Sequence, residues 1–401
     1  MRIYEIGTGY TPIPAQISAA TEIVVEELTR AFLKQNVPVE IIDIASRDRK
    51  ENDLPIRDVK VPKMFSGTDV QLGIMHKLKR VVYSIALAKE LTKILKKSRE
   101  KVVLHFHNQY NMFFFLKLVP EKIRKKAILA YTNHSGIWRL KWEDISLTVR
   151  KRYFQEAECM KKADAVFVLN SETRYNVIKN LGVPEDRVNL IRNGVNTDVY
   201  YPLDEKEKHK AKKKWKMDEK RVILQVGSVC ENKGQLRSIE YLMPVIKAHH
   251  DVVFAYAGGI IDVEFKNKID VFVKEHNITD NVYYFGMLPP GKELNEVYNI
   301  AEATICSSGY ESFSLVSVES LASGTPTLIN DISPIDFGEG CIRYKYSDDG
   351  KTVFTEVLSL DKSYKEKCRN ARINALGNLG WTKIANDYLM IWNKENDRAE
   401  Q

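Results

Sequence analysis

Short apolar runs alternate along this chain with longer segments whose apolar residues recur at helical spacing. In the first half, strands are predicted at Arg2–Ile6, Pro38–Ile42, Val102–Phe106, Ala127–Tyr131 and Ala165–Leu169. The second half repeats the pattern, with strands predicted at Arg221–Val226, Val252–Ala257, Val282–Phe285, Ala303–Cys306 and Thr327–Ile329. Amphipathic helices such as residues 20–34 lie between the strands. Alternating strands and helices indicate the α/β class, and two such series indicate two doubly wound parallel sheets.

A turn signal separates the two series. Asn193-Gly194-Val195-Asn196 is followed by Pro202 and by a very polar, lysine-rich stretch at residues 204–216, which reads as a linker or surface helix. We therefore expect one domain at residues 1–195 and a second from residue 196 onward. Open α/β sheets bind ligands at the carboxyl ends of their strands, so a cleft between the domains is the expected active site.

Composition agrees with a folded protein of two domains. The 401 residues are 44% hydrophobic and 28% charged, unlike a disordered chain. No apolar run approaches the roughly 20 residues of a membrane span, and the N-terminus reads as a strand and turn instead of a signal peptide. The five cysteines are scattered, which favours neither a disulfide framework nor a zinc site. We expect a cytoplasmic protein.

Positive charge is concentrated in the first half. Residues 1–195 contain 34 Lys and Arg against 22 Asp and Glu, a net +12, so the total of +8 leaves −4 for the remainder. This positive charge has two interpretations. The lysines and arginines lie on ordinary solvated helix faces, or they attract an anionic membrane or a charged acceptor.

The strongest chemical signal follows the strand predicted at Ala303–Cys306. Small residues lead into a helix predicted to begin near Ser314 and end at Gly324, and the N–H groups of such a helix can bind phosphate. Glu319 lies about a turn and a half into the helix, where a carboxylate suits a diol, and Glu311 precedes the helix. Taken alone, the same residues fit an amphipathic helix with two surface glutamates.

Further motifs give this segment a context. Glu311-x7-Glu319 with Phe313 and Gly324-Thr325-Pro326 resembles the signature of glycosyltransferase family four, the group 1 glycosyl transferases. The matching motifs elsewhere are Val226-Gly227 with Lys233-Gly234, Asn193-Gly194-Val195-Asn196 with Tyr201-Pro202, Phe285-Gly286, and Trp381 with Tyr388. The resemblance implies the GT-B fold, in which two Rossmann-like domains face a cleft. It also implies that a C-terminal helix at about 380–401 completes the first domain, leaving 196–379 for the second.

The resemblance further implies a retaining, metal-independent hexosyltransferase that uses a nucleotide-diphosphate sugar and no cofactor. Glu319 would bind the ribose, Glu311 the transferred sugar, and Lys233 the departing diphosphate. The complete set of expected donor-binding residues is Ser228, Lys233, Gly286, Glu311, Phe313, Ser314, Leu315, Val316 and Glu319. The expected catalytic residues are His134, Lys233 and Glu311, and the expected acceptor or cleft residues are Ala19, Ala20, His107 and His134.

The chain departs from the family pattern at three places. Ser228 stands where the family usually has arginine, so one expected phosphate cation is missing. Ala19-Ala20 replaces a glycine pair, and we expect this loss of freedom at positive φ to alter the backbone there. Ser314 replaces a frequent glycine, which we expect to matter little.

Histidines follow two strands of the first half. His134 follows the strand at Ala127–Tyr131 and is either a packed or capping residue or a polar contact to the reacting centre; its match to a family histidine favours function. His105 and His107 share one strand face, and we expect His105 to be structural and His107 to line the cleft.

The expected function is transfer of a sugar to a saccharide or lipid-linked acceptor, in surface polysaccharide or glycolipid assembly. The inner face of the cell membrane is a candidate location, and no nucleic-acid partner is expected. Two alternatives remain: an epimerase or phosphorylase-like enzyme of the same fold, and a non-catalytic nucleotide-sugar-binding protein.

Overall fold

The computed structural model describes residues 1–15, 19–68, 74–330, 340–347, 353, 357 and 379–400. The chain forms two compact units. Unit 1 comprises Met1–Gly194 and Trp381–Gln401, and unit 2 comprises Val195–Gly380. Cys368 lies outside the described residues, and the other four cysteines are free thiols.

Unit 1 is built on a parallel sheet of seven strands in the order β3-β2-β1-β4-β5-β6-β7. The strands are β1 (Arg2–Ile6), β2 (Val39–Ile44), β3 (Ile56–Val59), β4 (Val102–Phe106), β5 (Ala127–Thr132), β6 (Ala165–Val168) and β7 (Val188–Leu190). The five strands predicted in this half are confirmed, with ends that differ by at most two residues. The sequence did not predict β3 and β7, which form the two edges of the sheet.

Eight helices belong to the described part of unit 1. They are α1 (Ala20–Lys34), α2 (Ile74–Lys97), α3 (Gln109–Leu118), α4 (Glu121–Arg124), α5 (Leu147–Arg152), α6 (Phe154–Lys162), α7 (Ser171–Lys179) and the C-terminal α13 (Trp381–Glu400). Short 3-10 turns lie at Lys63–Phe65, Ile137–Arg139, Trp142–Asp144 and Glu185–Arg187. The helix predicted at residues 20–34 is confirmed.

The C-terminal helix α13 is part of the core of unit 1. It packs against α1 and against strands β5 and β6. Its buried Trp392 contacts the rings of Phe32 and Phe167 at centroid distances of 5.6 and 6.1 Å. These apolar contacts attach the end of the chain to the unit with which the chain begins.

Unit 2 contains a second parallel sheet, of six strands, in the order β10-β9-β8-β11-β12-β13. The strands are β8 (Arg221–Val226), β9 (Val252–Ala257), β10 (Val282–Tyr284), β11 (Ala301–Cys306), β12 (Thr327–Asn330) and β13 (Cys341–Tyr344). Its described helices are α8 (Glu205–Lys214), α9 (Gln235–Ala248), α10 (Val263–Glu275), α11 (Lys292–Ile300) and α12 (Leu315–Ala322), with a 3-10 turn at Thr279–Asn281. Of these strands, only β13 was not predicted.

Local sequence explains why the polar stretch before β8 forms a helix. The side chain of Asp204 accepts a hydrogen bond from the Glu207 N–H, and the Glu207 side chain accepts one from the Asp204 N–H. This capping box satisfies two backbone donors that the first turn of α8 would otherwise leave unpaired. No helix in the described part of the chain has the length and apolar character needed to cross a membrane.

Strand order determines where each unit can hold a ligand. The order reverses between β1 and β4 in unit 1 and between β8 and β11 in unit 2. At such a point the two following loops diverge to opposite faces of the sheet and leave a crevice at the carboxyl edge. The loops that carry most of the predicted site residues emerge at these two points.

Candidate active site

In unit 2, the loops after β8 and β11 bring a cation and a carboxylate together. Lys233 Nζ lies 2.6 Å from Glu311 Oε1, and the Ser308 hydroxyl donates to the same oxygen at 2.6 Å. The two charged side chains are 29% and 13% exposed. Burial lowers the pKa of Lys233, but the charge and hydrogen bond of Glu311, together with the nearby Cys306 and Cys230, outweigh burial and raise the pKa above its ordinary value. Lys233 is therefore a cation held beside Glu311, a pairing that was not predicted.

Buried polar side chains hold the Lys233 loop in place. Gln225 Nε2 donates to the Lys233 carbonyl at 2.6 Å, and Ser238 Oγ donates to Gln225 Oε1 at 2.7 Å. Ser238 also lies 2.6 Å from Ser307 Oγ, in the loop after β11. One network therefore connects the two loops beneath the ion pair. Sequence reasoning missed these residues, because Gln225 lies within a strand that otherwise reads as apolar.

The loop after β11 leads into α12 through a left-handed residue. Ser314 has φ 64° and ψ 78°, and its hydroxyl lies 2.9 Å from that of Ser317. A backbone with this φ favours glycine, which explains why the family frequently has glycine here; the substitution is less neutral than expected. Leu315 and Val316 form the first turn of α12, whose N-terminus carries positive partial charge.

Glu319 lies in α12 with its carboxylate held from a neighbouring helix. The hydroxyl of Tyr298, on α11, donates to Glu319 Oε2 at 2.8 Å, and Glu319 is only 8% exposed. Burial and the charge of Glu319 raise the pKa of Tyr298 well above its ordinary value, so this hydroxyl remains a donor. Phe313 is buried at 3% exposure. The sequence contained no signal for Tyr298, which resembles any other buried residue of an amphipathic helix.

Glycines allow the loops after β8, β9 and β10 to approach one another. A Cβ at Gly258, which has φ 150°, would lie 2.0 Å from the Gly227 carbonyl oxygen. The Gly258 N–H donates to the Gly286 carbonyl at 2.9 Å. Around Gly286 itself, no heavy atom of the described residues lies within 4 Å of a would-be Cβ. Gly286 therefore borders open space at the same carboxyl edge as Lys233. Ser228, which follows β8 at this edge, has an uncharged side chain.

The carboxyl edge of unit 1 carries a buried network of three histidines. Glu5, on β1, accepts from His105 Nδ1 at 3.0 Å and from His107 Nε2 at 2.8 Å. His107 Nδ1 lies 3.0 Å from His134 Nε2. His105 is fully buried, as expected of a structural residue. His107 was expected to line the cleft, but it is 5% exposed and both of its ring nitrogens already have protein partners. The half-buried His134 is the member of this network nearest to solvent.

Protonation in this network follows from burial and charge. Burial raises the pKa of Glu5, but His105 and His107 outweigh it and the pKa is lowered to about 2. Burial and His105 lower the pKa of His107 to about 4, and burial with the neighbouring histidines lowers the pKa of His134 well below its usual value. At neutral pH, Glu5 is a carboxylate while His107 and His134 are neutral.

Glu5, His105 and His107 also meet the geometric condition for a metal site. Their ligand atoms lie within 4.8 Å of one another, and no other such group occurs among the described residues. Each ring nitrogen of the two histidines already has a hydrogen-bond partner, since His105 Nε2 lies 2.7 Å from Thr132 Oγ1. The arrangement is complete as a hydrogen-bond network.

The two alanines at the start of α1 do not distort the backbone. Ala19 has φ −126° and ψ 86°, and Ala20 is the first residue of α1. Neither position has the positive φ that favours glycine, so the two alanines are accommodated without strain, and the expected difference from a glycine pair stays a prediction. Nearby, the hydroxyl of Thr8 donates to the buried carboxyl of Glu22, and burial raises the pKa of Glu22 to about 7.

Solved structures share this architecture across its length. Sucrose-phosphate synthase from Thermosynechococcus elongatus aligns with a TM-score of 0.76 at 18% identity, covering 98% of each chain. Anabaena HepE in complex with UDP-glucose aligns with a TM-score of 0.74 at 11% identity, covering 98% of this chain and all of that one. At these identities the alignments show the fold, which is the GT-B fold.

Curated relatives match at the level of sequence. An uncharacterized 41.2 kDa protein in the cps region of Klebsiella pneumoniae is 25% identical over 302 residues, which is 72% of this chain and 78% of that protein. Alpha-maltose-1-phosphate synthase of Mycolicibacterium smegmatis is 26% identical over 187 residues, so the chain spans about half of that relative (45% of this chain, 47% of the relative).

Two family matches cover most of both units. Residues 21–199 match the family described as Glycosyltransferase Family 4, and residues 205–336 match Glycosyl transferases group 1. The matched segments contain Lys233, Glu311 and Glu319 together with all three histidines of the buried network. The chain therefore belongs to glycosyltransferase family four, the group 1 glycosyl transferases.

Proposed function

We propose that this glycosyltransferase takes its sugar from a nucleotide-diphosphate donor and transfers it with retention of anomeric configuration, without a metal ion or cofactor. The observation that carries the proposal is the Lys233–Glu311 pair beside the N-terminus of α12, at the switch point of the unit 2 sheet. A cation, a helix N-terminus and a carboxylate at one edge match the diphosphate and the hydroxyls of such a donor.

Each part of the donor has a proposed partner. Glu319 accepts the ribose hydroxyls, with Tyr298 holding the carboxylate in orientation. The N–H groups of the α12 first turn and the Lys233 ammonium bind the diphosphate, and Glu311 contacts hydroxyls of the sugar. Gly286 leaves room beside the nucleotide base.

The proposed reaction needs no covalent intermediate with the protein. The bond between the anomeric carbon and the diphosphate oxygen breaks, and the acceptor oxygen bonds to the same face of that carbon. The acceptor proton passes to the departing diphosphate, and Lys233 stabilises the charge that develops there. His134 in unit 1 is the proposed polar contact to the acceptor. Glu311 is not assigned as a nucleophile, because its carboxylate pairs with Lys233.

Related solved structures support this class of donor. Anabaena HepE has been solved with UDP, with UDP and glucose, and with UDP-glucose, and starch synthase IV of Arabidopsis thaliana has been solved with ADP and acarbose. Nucleoside diphosphates and their sugars are therefore the first compounds to test. Ser228 lowers the positive charge expected near the diphosphate, so affinity for each donor has to be measured directly.

The experiment is an incubation of the full chain with a panel of nucleotide sugars, with and without sugar acceptors, followed by proton NMR of the anomeric signals. The proposal predicts a product with the donor's anomeric configuration and release of nucleoside diphosphate. An inverted product would contradict retention. Conversion of the donor into another nucleotide sugar without acceptor would indicate an epimerase. Tight binding without transfer or hydrolysis across the panel would indicate a binding protein.

We infer that the acceptor belongs to surface polysaccharide or glycolipid assembly and that unit 1 contacts an anionic membrane surface from the cytoplasmic side. A groove of about 860 Å³ between α3 and α6 supports this inference. Phe113, Trp142 and Phe154 line it beside Lys117 and Lys162. The two lysines form no ion pair with a described residue, and Lys117 Nζ lies 5.5 Å from the centre of the Phe113 ring. Aromatic rings beside exposed lysines suit a lipid interface.

Vesicle sedimentation tests the membrane contact. Vesicles containing phosphatidylglycerol should bind the wild-type chain more strongly than phosphatidylcholine vesicles, and K117E/K162E should weaken that binding severalfold. The matched control is K268E/K274E, which reverses two exposed charges on α10 of unit 2. Equal loss in both double variants, or binding that ignores lipid charge, would contradict a specific surface in unit 1.

A further inference from the structure

The buried carboxylate of Glu5 has no place in the proposed chemistry, yet it lies at the centre of the histidine network of unit 1. It is fully buried in β1, the strand beside the switch point, and no lysine or arginine of the described chain forms an ion pair with it. Both of its oxygens are used, one by His105 and the other by His107. A buried carboxylate costs folding free energy unless its hydrogen bonds compensate, so its presence requires an explanation.

Because a carboxylate can only accept hydrogen bonds, it dictates which ring nitrogens carry protons. His107 must donate from Nε2 to Glu5, so neutral His107 presents Nδ1 as an acceptor. His134 Nε2, 3.0 Å away, must therefore be the protonated nitrogen of its ring. Neutral His134 is then unprotonated at Nδ1, which forms no hydrogen bond to any residue in the described ranges. The buried carboxylate of Glu5, acting through His107, therefore determines which ring nitrogen of His134 carries the proton.

We propose that Glu5 is a positioning residue which, acting through His107, holds His134 as its Nε2–H tautomer and leaves Nδ1 as a hydrogen-bond acceptor for a hydroxyl of the acceptor substrate. The proposal extends the function proposed above, because it rests on His134 contacting the acceptor. A fixed acceptor nitrogen would orient the acceptor substrate by accepting from a hydroxyl beside the attacking one, so the attacking hydroxyl keeps its own proton for the departing diphosphate.

A second branch of the network provides a control. On its other side, His105 Nε2 lies 2.7 Å from Thr132 Oγ1, and that hydroxyl lies 3.2 Å from the hydroxyl of Tyr388 on α13. This branch shares Glu5 with His107 but does not contact His134. Thr132→Val therefore removes a buried hydrogen bond from the same network while leaving the path from Glu5 to His134 intact.

Nitrogen-15 NMR of the full chain labelled at histidine tests the proposal, with His134 assigned from the spectrum of His134→Gln. In the wild type, His134 should show a pyrrole-type Nε2 and a pyridine-type Nδ1, and T132V should leave this pattern unchanged. E5Q can donate as well as accept, so it should populate the opposite tautomer of His134 and lower kcat about tenfold or more. Donor affinity should stay within about twofold of the wild type, because donor binding is assigned to unit 2.

Several results would overturn the proposal. These are a protonated Nδ1 on wild-type His134, an unchanged His134 pattern in folded E5Q, or a stoichiometric metal ion bound to Glu5, His105 and His107 in the purified chain. If E5Q does not fold, the wild-type tautomer and T132V decide the question. The NMR pattern is independent of turnover, so a chain that transfers no sugar contradicts the proposed function while the tautomer is still determined.

Discussion

At the scale of single residues, the Lys233–Glu311 pair is the most consequential contact in unit 2. Without a donor, Glu311 neutralises the ammonium at 2.6 Å and keeps Lys233 directed along the carboxyl edge. A bound diphosphate would be a second anion in contact with the Lys233 ammonium. The pair therefore keeps the cation in position before the donor arrives, which avoids the entropy cost of ordering a long side chain during binding.

Lys233→Ala should lower turnover about a hundredfold, because the charge that develops on the leaving diphosphate would lose its fixed cation. Donor affinity should fall less, since the N–H groups of α12 still bind phosphate. Steady-state kinetics with a donor that the nucleotide-sugar panel shows to be used measures both effects. The control Lys247→Ala removes an exposed lysine from the end of α9. Turnover of Lys233→Ala close to that of this control would contradict the assigned role.

Gly258 should matter for the stability of unit 2. Gly258→Ala should lower the free energy of unfolding of unit 2 by about 2 kcal/mol or more, because φ of 150° is unfavourable for alanine and its Cβ would meet the Gly227 carbonyl at 2.0 Å. Gly259→Ala is the matched control, since the nearest atom to its Cβ, Met287 Sδ, lies 3.7 Å away. It should change stability by less than about 1 kcal/mol. Urea unfolding of the two variants, followed by circular dichroism, compares them, and equal stability would contradict the close approach.

Only some residues of the two sites could be predicted from the sequence. Lys233, Glu311 and Glu319 were found because their spacing resembles a known signature. Tyr298 and Gln225 were missed, because a buried hydroxyl or amide in a regular element looks like part of the core until the partner side chain is known. Glu5 offered a weak signal, as a charged residue inside the apolar run Arg2–Ile6.

At the scale of elements, the interior strands of both described sheets were predicted, whereas of the edge strands only β10 was. The inner strands of each sheet are buried on both faces and read as continuous apolar runs. The missed strands β3, β7 and β13 lie at sheet edges and have three or four residues, and each contains an exposed position, which is polar in β3 and β13 and is Leu190 in β7. An edge strand is stabilised by its single neighbour, and that partner is not visible in local sequence.

The C-terminal helix α13 should be needed for the stability of unit 1. Trp392 is fully buried among Phe32, Phe167 and Tyr388. Trp392→Ala should therefore lower the free energy of unfolding by about 3–5 kcal/mol, from lost burial and the cavity left behind. Met390→Ala, two residues away at 65% exposure, should change it by no more than about 0.5 kcal/mol. Denaturant unfolding measures both variants, and a Trp392→Ala effect as small as that of the control would contradict the packing.

At the scale of the whole molecule, the histidine network should make stability depend on pH. The pKa of His107 falls from an ordinary 6.5 to about 4 in the folded chain, so between these values the unfolded chain binds a proton that the folded chain does not. The contribution of His107 to stability should therefore fall as the pH falls from 6.5 to 4. Glu5, with a pKa lowered from 4.5 to about 2, continues the loss below pH 4.5 with the same sign. Glu22 acts with the opposite sign, because its pKa of about 7 in the folded chain lies above the ordinary 4.5, so the His107 contribution is measured as the difference between the wild type and His107→Gln.

Thermal unfolding of unit 1 between pH 7 and pH 4 measures this dependence. The variant His107→Gln should show a smaller decrease in Tm over the same range, because it has no imidazole to protonate on unfolding. The same change of Tm with pH in both proteins would contradict a neutral buried His107.

The central claim is that the carboxyl edge of the unit 2 sheet binds the nucleotide-sugar donor, with Glu319 on the ribose. Isothermal titration of a donor into wild type, Glu319→Ala and Glu240→Ala tests it most directly, since Glu240 is an exposed glutamate on α9 away from that edge. Loss of hydrogen bonds to a charged carboxylate should weaken donor binding about 10- to 100-fold in Glu319→Ala. Glu240→Ala should bind like the wild type. Equal donor affinity in Glu319→Ala and Glu240→Ala would contradict the account.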